Sequence, residues 1–323
     1  MLSVLGGTSI DVAAARACLS PRCLKDAVAL YRSAGWAALD ACQRPDWYQV
    51  QVQFSDWHAA EHAVVTGLWP HLRQAESDGL ISAWWFVRKS PCWRFRVRPG
   101  PSTSTDSVRA LMSSALDAMV TADAAVGWRE SIYEPETYAF GGPVGMEVAH
   151  RLFHADSRAL LDHAGRRIEG APKYPSLGRR ELSLLLLSAL MRGAGLEWAE
   201  QGDVWRRVEQ SRPVPSDALG EQFRVLRPAV RRLLLLDTGA TGGLVGVNGP
   251  LAEVEGWLRD FSECGKCLGA ARDDGELARG IRSVVERLVL FHWNRMGMPS
   301  EQQGLLARAA REATLSSDAD CTT

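Results

Sequence analysis

Ser82-Ala-Trp-Trp-Phe-Val-Arg-Lys-Ser-Pro-Cys-Trp-Arg-Phe-Arg-Val-Arg98 sets arginines at 94, 96 and 98 in alternation with Trp93, Phe95 and Val97. That alternation reads as a strand. Successive strand side chains point to opposite faces, so Trp93, Phe95 and Val97 share one face and Arg94, Arg96 and Arg98 line the other. A guanidinium presents a rigid fork of donors that matches carboxylates and phosphates, so an ordered row of three suits an anionic group. The plain alternative is an edge strand whose charged face is solvated and keeps it from aggregating. Only Lys25, Lys89, Lys173 and Lys266 among the 37 basic residues are Lys, the rest being Arg, so a single Arg carries little meaning here and an ordered row carries more.

Outward from this strand the pattern is α+β. Trp47-Tyr-Gln-Val-Gln-Val-Gln-Phe54 alternates as a strand, with Tyr48, Val50, Val52 and Phe54 on one face. Asp56 is placed as the cap of a helix through Ala59 to Ala75. Pro99-Gly-Pro-Ser-Thr-Ser-Thr-Asp106 reads as a loop, followed by a helix near 107–121 and a strand at Trp128–Tyr133. Strands and helices in this order predict a mainly antiparallel sheet with packed helices. From Gly145 onward helices are expected at about 145–164, 178–198, 220–235, 251–272 and 275–295, with Gly297 and Pro299 ending the last.

Ahead of the sheet, residues 1–45 form a small helix-turn-helix-like unit. Ser20 is a good N-cap before Pro21 at the first helical position. It is either a helical hairpin that docks on the main body or a surface that holds a partner or leader peptide. Without a basic recognition helix, no direct DNA binding is expected. The main α+β domain is assigned to 46–312 and a frayed, disordered tail to 313–323.

Composition narrows the function classes. With 46% apolar and 23% charged residues the 323-residue chain is that of a soluble globular protein, and no apolar run approaches a membrane span. The start lacks the basic and long apolar regions of a signal peptide, which predicts a cytoplasmic location without a membrane partner. Seven cysteines without framework spacing predict reduced thiols. A net charge of -1 argues against a general nucleic-acid binder. The Gly-rich Asp237–Pro250 connection lacks the Gly-Lys-Ser/Thr ending of a phosphate loop and follows a helical segment, so nucleotide binding is not expected there.

No metal or other cofactor is expected. His150 and His154 lie four apart on one helix with Asp156 following, but spacing places no third strong ligand. Hydrogen-bonded histidines near a pocket wall are the simpler reading. Cys264-Gly-Lys-Cys267 is a lone Cys-x-x-Cys with no second pair.

The segments Trp84–Arg96, Tyr133-Glu-Pro-Glu-Thr-Tyr-Ala-Phe-Gly-Gly142, Gly145–Ser157, Gln201-Gly-Asp-Val-Trp205 and Phe291-His-Trp-Asn-Arg-Met-Gly297 carry a family likeness. In their order and spacing they resemble the stand-alone thiopeptide-type bacteriocin biosynthesis proteins, which are similar to the C-terminal, glutamate-eliminating domain of lantibiotic dehydratases. The resemblance covers roughly residues 46–312. It implies β-elimination of glutamate from glutamylated Ser or Thr of a precursor peptide, leaving dehydroalanine or dehydrobutyrine. It also implies a separate, tRNA-dependent glutamylating subunit as partner, and a homodimer is left open.

By the same resemblance His292, before x-Asn-Arg, is implied to be catalytic, and Arg94 and Arg96 match the paired arginines of the family's His-x-Arg-x-Arg strand, with Cys92 where His often stands. Arg88, Arg98, Tyr133, Glu134, His150, His154, Asn294 and Arg295 are the candidate substrate-binding residues. One departure matters. Ala139 stands where an Arg is expected before the aromatic-Gly-Gly turn, and Arg88, Arg151 or Arg179 are the candidates to replace that cation. The alternatives within and beyond the family are a pyridine synthase that joins two dehydroalanines by a formal aza-cycloaddition and a non-catalytic precursor-binding or scaffold subunit.

Overall fold

A computed structural model describes residues 1–43, 47–170, 177–214, 221–238 and 251–315. The chain divides into two compact units, Met1–Trp47 and Tyr48–Thr323. In the first, α1 (Leu2–Leu5), α2 (Ile10–Ala17) and α3 (Pro21–Gln43) follow one another. Ser20 Oγ accepts the Cys23 N–H at 3.1 Å, so Ser20 caps α3 as its place before Pro21 predicts. Ala13, Ala14, Leu24 and Val28 form a small core with Val4, Leu5 and Ile10 packed on it.

The second unit is α+β. Its sheet contains β1 (Tyr48–Phe54), β2 (Ile81–Lys89), β3 (Cys92–Pro99) and β4 (Ala125–Ser131) in the order β2-β3-β1-β4, every pair antiparallel. The single strand expected over 82–98 is thus a hairpin that turns at Ser90-Pro91, and its arginine row belongs to the second strand. Proline has no N–H to give a ladder, which is why the run breaks there.

Register fixes the two faces of the sheet. Val50, Val52, Trp93, Phe95, Val97, Trp84 and Phe86 are buried on one face, against α5 (Trp69–Ser77), which continues α4 (Ala60–Ala63) and a π turn (Val64–Leu68), and against α6 (Thr105–Thr121). The other face carries Gln49 opposite Arg96, Gln51 opposite Arg94, and Trp85 opposite Arg96. Its β2 margin is covered by α7 (Pro143–Ile168) and α12 (Ile281–Arg295). Those helices also satisfy the outer edge of β2. Ser157 Oγ accepts from Phe86 N at 3.2 Å, and Arg295 Nε donates to Phe86 O at 2.9 Å.

The remaining helices are α8 (Arg179–Gly193), α9 (Trp198–Ser211), α10 (Glu221–Leu235), α11 (Glu255–Asp273) after a 3-10 turn at Ala252–Val254, and α13 (Ser300–Leu315). Helices α8 and α11 touch backbone to backbone, since a Cβ at Gly265 would stand 2.2 Å from Leu190 O. The Gln201–Trp205 motif lies on α9, where Trp205 stacks on Trp293 of α12 at 5.8 Å. This motif is architecture.

The structure departs from the sequence pattern at several element ends. Asp56 accepts from His58 N at 2.8 Å as a local turn, and the N-cap of α4 is Ala59. Gly195, at φ +68, ends the run expected to 198, and a capping box of Glu197 and Glu200 starts α9 beyond it. Helix α12 begins at Ile281, after a turn. Residues 313–315 are not tail but the end of α13, with Ala313 and Thr314 buried. Residues 316–323 and the greater part of the Gly-rich 237–250 connection lie outside the described residues.

Candidate active site

A cleft of about 170 Å³ opens where the polar face of the sheet meets the segment after β4, with α7 and α12 at its back. Arg94, Arg96, Gln49 and Trp85 supply the sheet side. Phe140, Phe153 and Phe291 supply an apolar back wall, with Phe153 and Phe291 stacked at 5.0 Å. Ile132, Tyr133, Glu134 and Glu136 form the remaining side. Gln49 Nε2 pins this segment to the sheet by donating to Ser131 Oγ and Ile132 O, both at 2.8 Å. The chain then turns into α7 through Gly141 and Gly142, both at positive φ, where a side chain would be strained.

Arg96 is the central feature. It is 7% exposed, and its guanidinium lies 4.0 Å from the Trp85 ring and 4.8 Å from the Tyr133 ring. Such stacking orients a cation and attracts it to the ring faces. Its Nε and Nη1 nevertheless have no hydrogen-bond partner among the described residues. Burial lowers its pKa to about 10, offset in part by Tyr133, so it remains charged near neutral pH. Half-buried Arg94 projects from the same strand face and lines the same cleft.

Beside Arg96, Tyr133 Oη and His150 Nε2 are 2.8 Å apart. Burial, then the charges of Arg98 and Arg96, push the His150 pKa down to about 4, so its imidazole is neutral at physiological pH. Burial raises the Tyr133 pKa, against the opposing pull of Arg96. The cleft therefore joins two cations, a phenol on a neutral imidazole, and the Glu134 and Glu136 carboxylates at an exposed rim.

The other predicted site residues lie elsewhere. His292 is 1% exposed and does not line the cleft, a place taken by its neighbour Phe291. Its Nδ1 is 2.9 Å from Asp156 Oδ2, the oxygen that also accepts from Arg295, while Trp257 Nε1 donates to Oδ1 at 3.0 Å. Burial would raise the Asp156 pKa, but His292 and Arg295 outweigh it and hold the carboxyl below its usual range. Asp156 is the residue the sequence reading missed as a partner. It lies 136 positions from His292, and no local spacing signals the pairing.

Arg88 faces Trp93 across the hairpin, on the sheet face away from the cleft. There it stacks at 4.4 Å over that ring and pairs with Glu61. Arg179 pairs with the same carboxylate, and Arg151 lines a separate cavity between α7 and α11, so none of the three lines the cleft. Arg98 reaches Glu147 at 3.7 Å. His154 Nδ1 sits 3.0 Å from Trp84 O and serves the strand edge. Asn294 accepts from Gln303 at 3.0 Å. His150 and His154, one helical turn apart, thus hold different neighbours. Among the described residues no group of three or more His, Cys, Asp or Glu could hold a metal ion. Burial pushes the Cys264 thiol up to about 12, which makes it a poor ligand or nucleophile.

Residues 47–314 match the family described as lantibiotic biosynthesis dehydratase, C-terminal. The fold is similar to that of the tRNA-dependent lantibiotic dehydratase MibB from Microbispora sp. 107891, with a TM-score of 0.63 and 18% identity over 83% of this chain. The match spans 28% of that dehydratase. It is also similar to TbtD, a pyridine synthase from thiomuracin biosynthesis (TM-score 0.55, 16% identity), and to TsrL (TM-score 0.57, 16% identity). Each of these is matched over 83% of this chain, and over 97% of TbtD and 95% of TsrL. No curated protein sequence matches. Among the described residues no helix is long and apolar enough to cross a membrane.

Proposed function

Because this chain belongs to the lantibiotic biosynthesis dehydratase C-terminal family, we propose that it matures a ribosomally made precursor peptide by eliminating glutamate from glutamylated Ser or Thr. The observation that carries this reading is Arg96, a buried guanidinium with two donor atoms unpartnered among the described residues, at a cleft that Arg94 shares. A buried charge without a carboxylate is costly, and an arriving anion offsets that cost. The leaving group of the reaction is such an anion.

In the elimination, the Cα–H bond of the glutamylated residue breaks and its electron pair forms the Cα=Cβ bond. The Cβ–O bond breaks in turn, and the released glutamate carboxylate is held by Arg94 and Arg96. The Tyr133 oxygen takes the Cα proton as its own proton passes to neutral His150. The imidazolium so formed lies near Arg96 and Arg98, and the carboxylate arriving at Arg96 offsets that repulsion. His292, with Asp156 and Arg295, holds α7 against α12 behind the wall, and so acts as a positioning residue. The partners of this reading are the precursor peptide and a separate tRNA-dependent glutamylating protein.

The pyridine synthase reading is the second one. It is favoured by the aromatic wall, by Phe291 where an imidazole would serve elimination, and by the near full-length match to TbtD. Incubating the protein with glutamylated and with dehydrated precursor peptide, then reading masses, separates the two. Elimination converts the first substrate with loss of glutamate. Conversion of the dehydrated peptide alone, with release of a leader fragment, would favour cycloaddition.

A further inference from the structure

The cleft is bipolar. Opposite the Arg94 and Arg96 cations, Glu134 and Glu136 stand on either side of Pro135, and neither carboxylate has a hydrogen bond or ion pair among the described residues. Arg96 is more than nine-tenths buried, with unpartnered nitrogens at the same cleft. Glu136 is near enough to act electrostatically on both Arg96 and Tyr133. A simple anion such as phosphate or acetate would gain from the arginines and be repelled by the rim. A group carrying carboxylate and ammonium together satisfies both poles.

We infer that Glu136 binds the free α-ammonium of the ester-linked amino acid, so that the cleft selects aminoacyl esters over acyl esters of the same length. The inference deepens the elimination reading and rests on it. Amino acids are carried on tRNA as esters of the α-carboxyl group. A residue transferred from tRNA to a hydroxyl therefore keeps its α-ammonium, and glutamate keeps its side-chain carboxylate as well. In the cleft the carboxylate meets Arg94 and Arg96, the ammonium meets Glu136, and the ester oxygen is left toward Tyr133. Elimination frees the α-carboxylate as a second anion for the arginine pair.

The test compares L-glutamate with glutarate, which has the same two carboxylates and no ammonium. Binding of each to the full chain is measured by calorimetry. A charge-assisted hydrogen bond predicts that wild type binds L-glutamate about tenfold tighter or more. Glu136→Gln should remove that preference while retaining glutarate binding, and Arg96→Ala should weaken both ligands. Equal binding of the two by wild type, persistence of the preference in Glu136→Gln, or binding of neither ligand would overturn the inference. A second arm uses peptides esterified with glutamate or with glutarate. Equal elimination from both esters overturns the ammonium assignment and leaves elimination standing. A glutamate preference in binding without elimination from either ester counts against the elimination reading alone.

Discussion

Two buried arginines on this fold are held in opposite ways. Arg295, 1% exposed, donates to the Asp156 carboxylate and to Phe86 O, and Asp156 accepts from His292 and Trp257 as well. Arg96, 7% exposed, lies between two aromatic rings with two nitrogens unpartnered and no carboxylate paired to it among the described residues. A buried cation with its carboxylate in place holds α7, α12 and β2 together. One that lacks a carboxylate is arranged for an anion from outside. Burial and charge alone would have classed the two together, and it is the partner that separates architecture from site.

The two arginines differ most in their dependence on Asp156. Asp156→Ala leaves Arg295 buried without its carboxylate, a class of change that costs about 3–5 kcal/mol. Denaturant unfolding should show that loss, whereas an unchanged midpoint would mean that the node holds nothing together. Next in size is the contrast between His292 and Tyr133. Tyr133→Phe should slow elimination about a hundredfold at unchanged melting temperature, the scale of a lost proton-transfer group. His292→Phe should lower melting temperature and activity together. A stable His292→Phe protein that binds glutamylated peptide without converting it would return proton transfer to His292.

A smaller effect is the pH dependence of stability. The folded-state pKa of His150 is about 4, below its ordinary value near 6.5. Between these values the unfolded chain takes up a proton that the native state refuses, so stability rises with pH across this window and is lost as pH falls through it. The stability advantage of wild type over His150→Gln should therefore shrink between about pH 6.5 and pH 4. A constant difference would show that His150 is not held neutral by its surroundings.

Much of this arrangement was legible in the sequence, and the limits follow from range. Alternation in Trp47–Phe54 and Cys92–Arg98 set the strand faces correctly, and Arg94 and Arg96 do share one cleft. The hairpin is masked in the sequence because Ser82–Arg98 is rich in strand-favouring residues on both sides of Ser90-Pro91. Helix α13 is hidden behind Pro299, which stops one helix and precedes the next. Arg88 is close in sequence to the other arginines, but its register opposite Trp93 sends it to the far face. The placement of His292 depends on Asp156, which arrives from another helix, and no periodicity encodes that meeting. The Glu136 carboxylate gave no signal because its value lies only in its nearness to Arg96.

The role of Arg96 is read by a mass-resolved time course on glutamylated precursor peptide. Wild type and Arg96→Ala are followed side by side, with melting temperatures measured on the same preparations. Losing a charge-assisted partner worth about 1.5–3 kcal/mol should slow glutamate loss tenfold or more. The melting temperature should hold or rise, since the cation has no carboxylate to lose. Glutamate loss by Arg96→Ala at the wild-type rate, from a protein of unchanged stability, would show that Arg96 does not hold the leaving group.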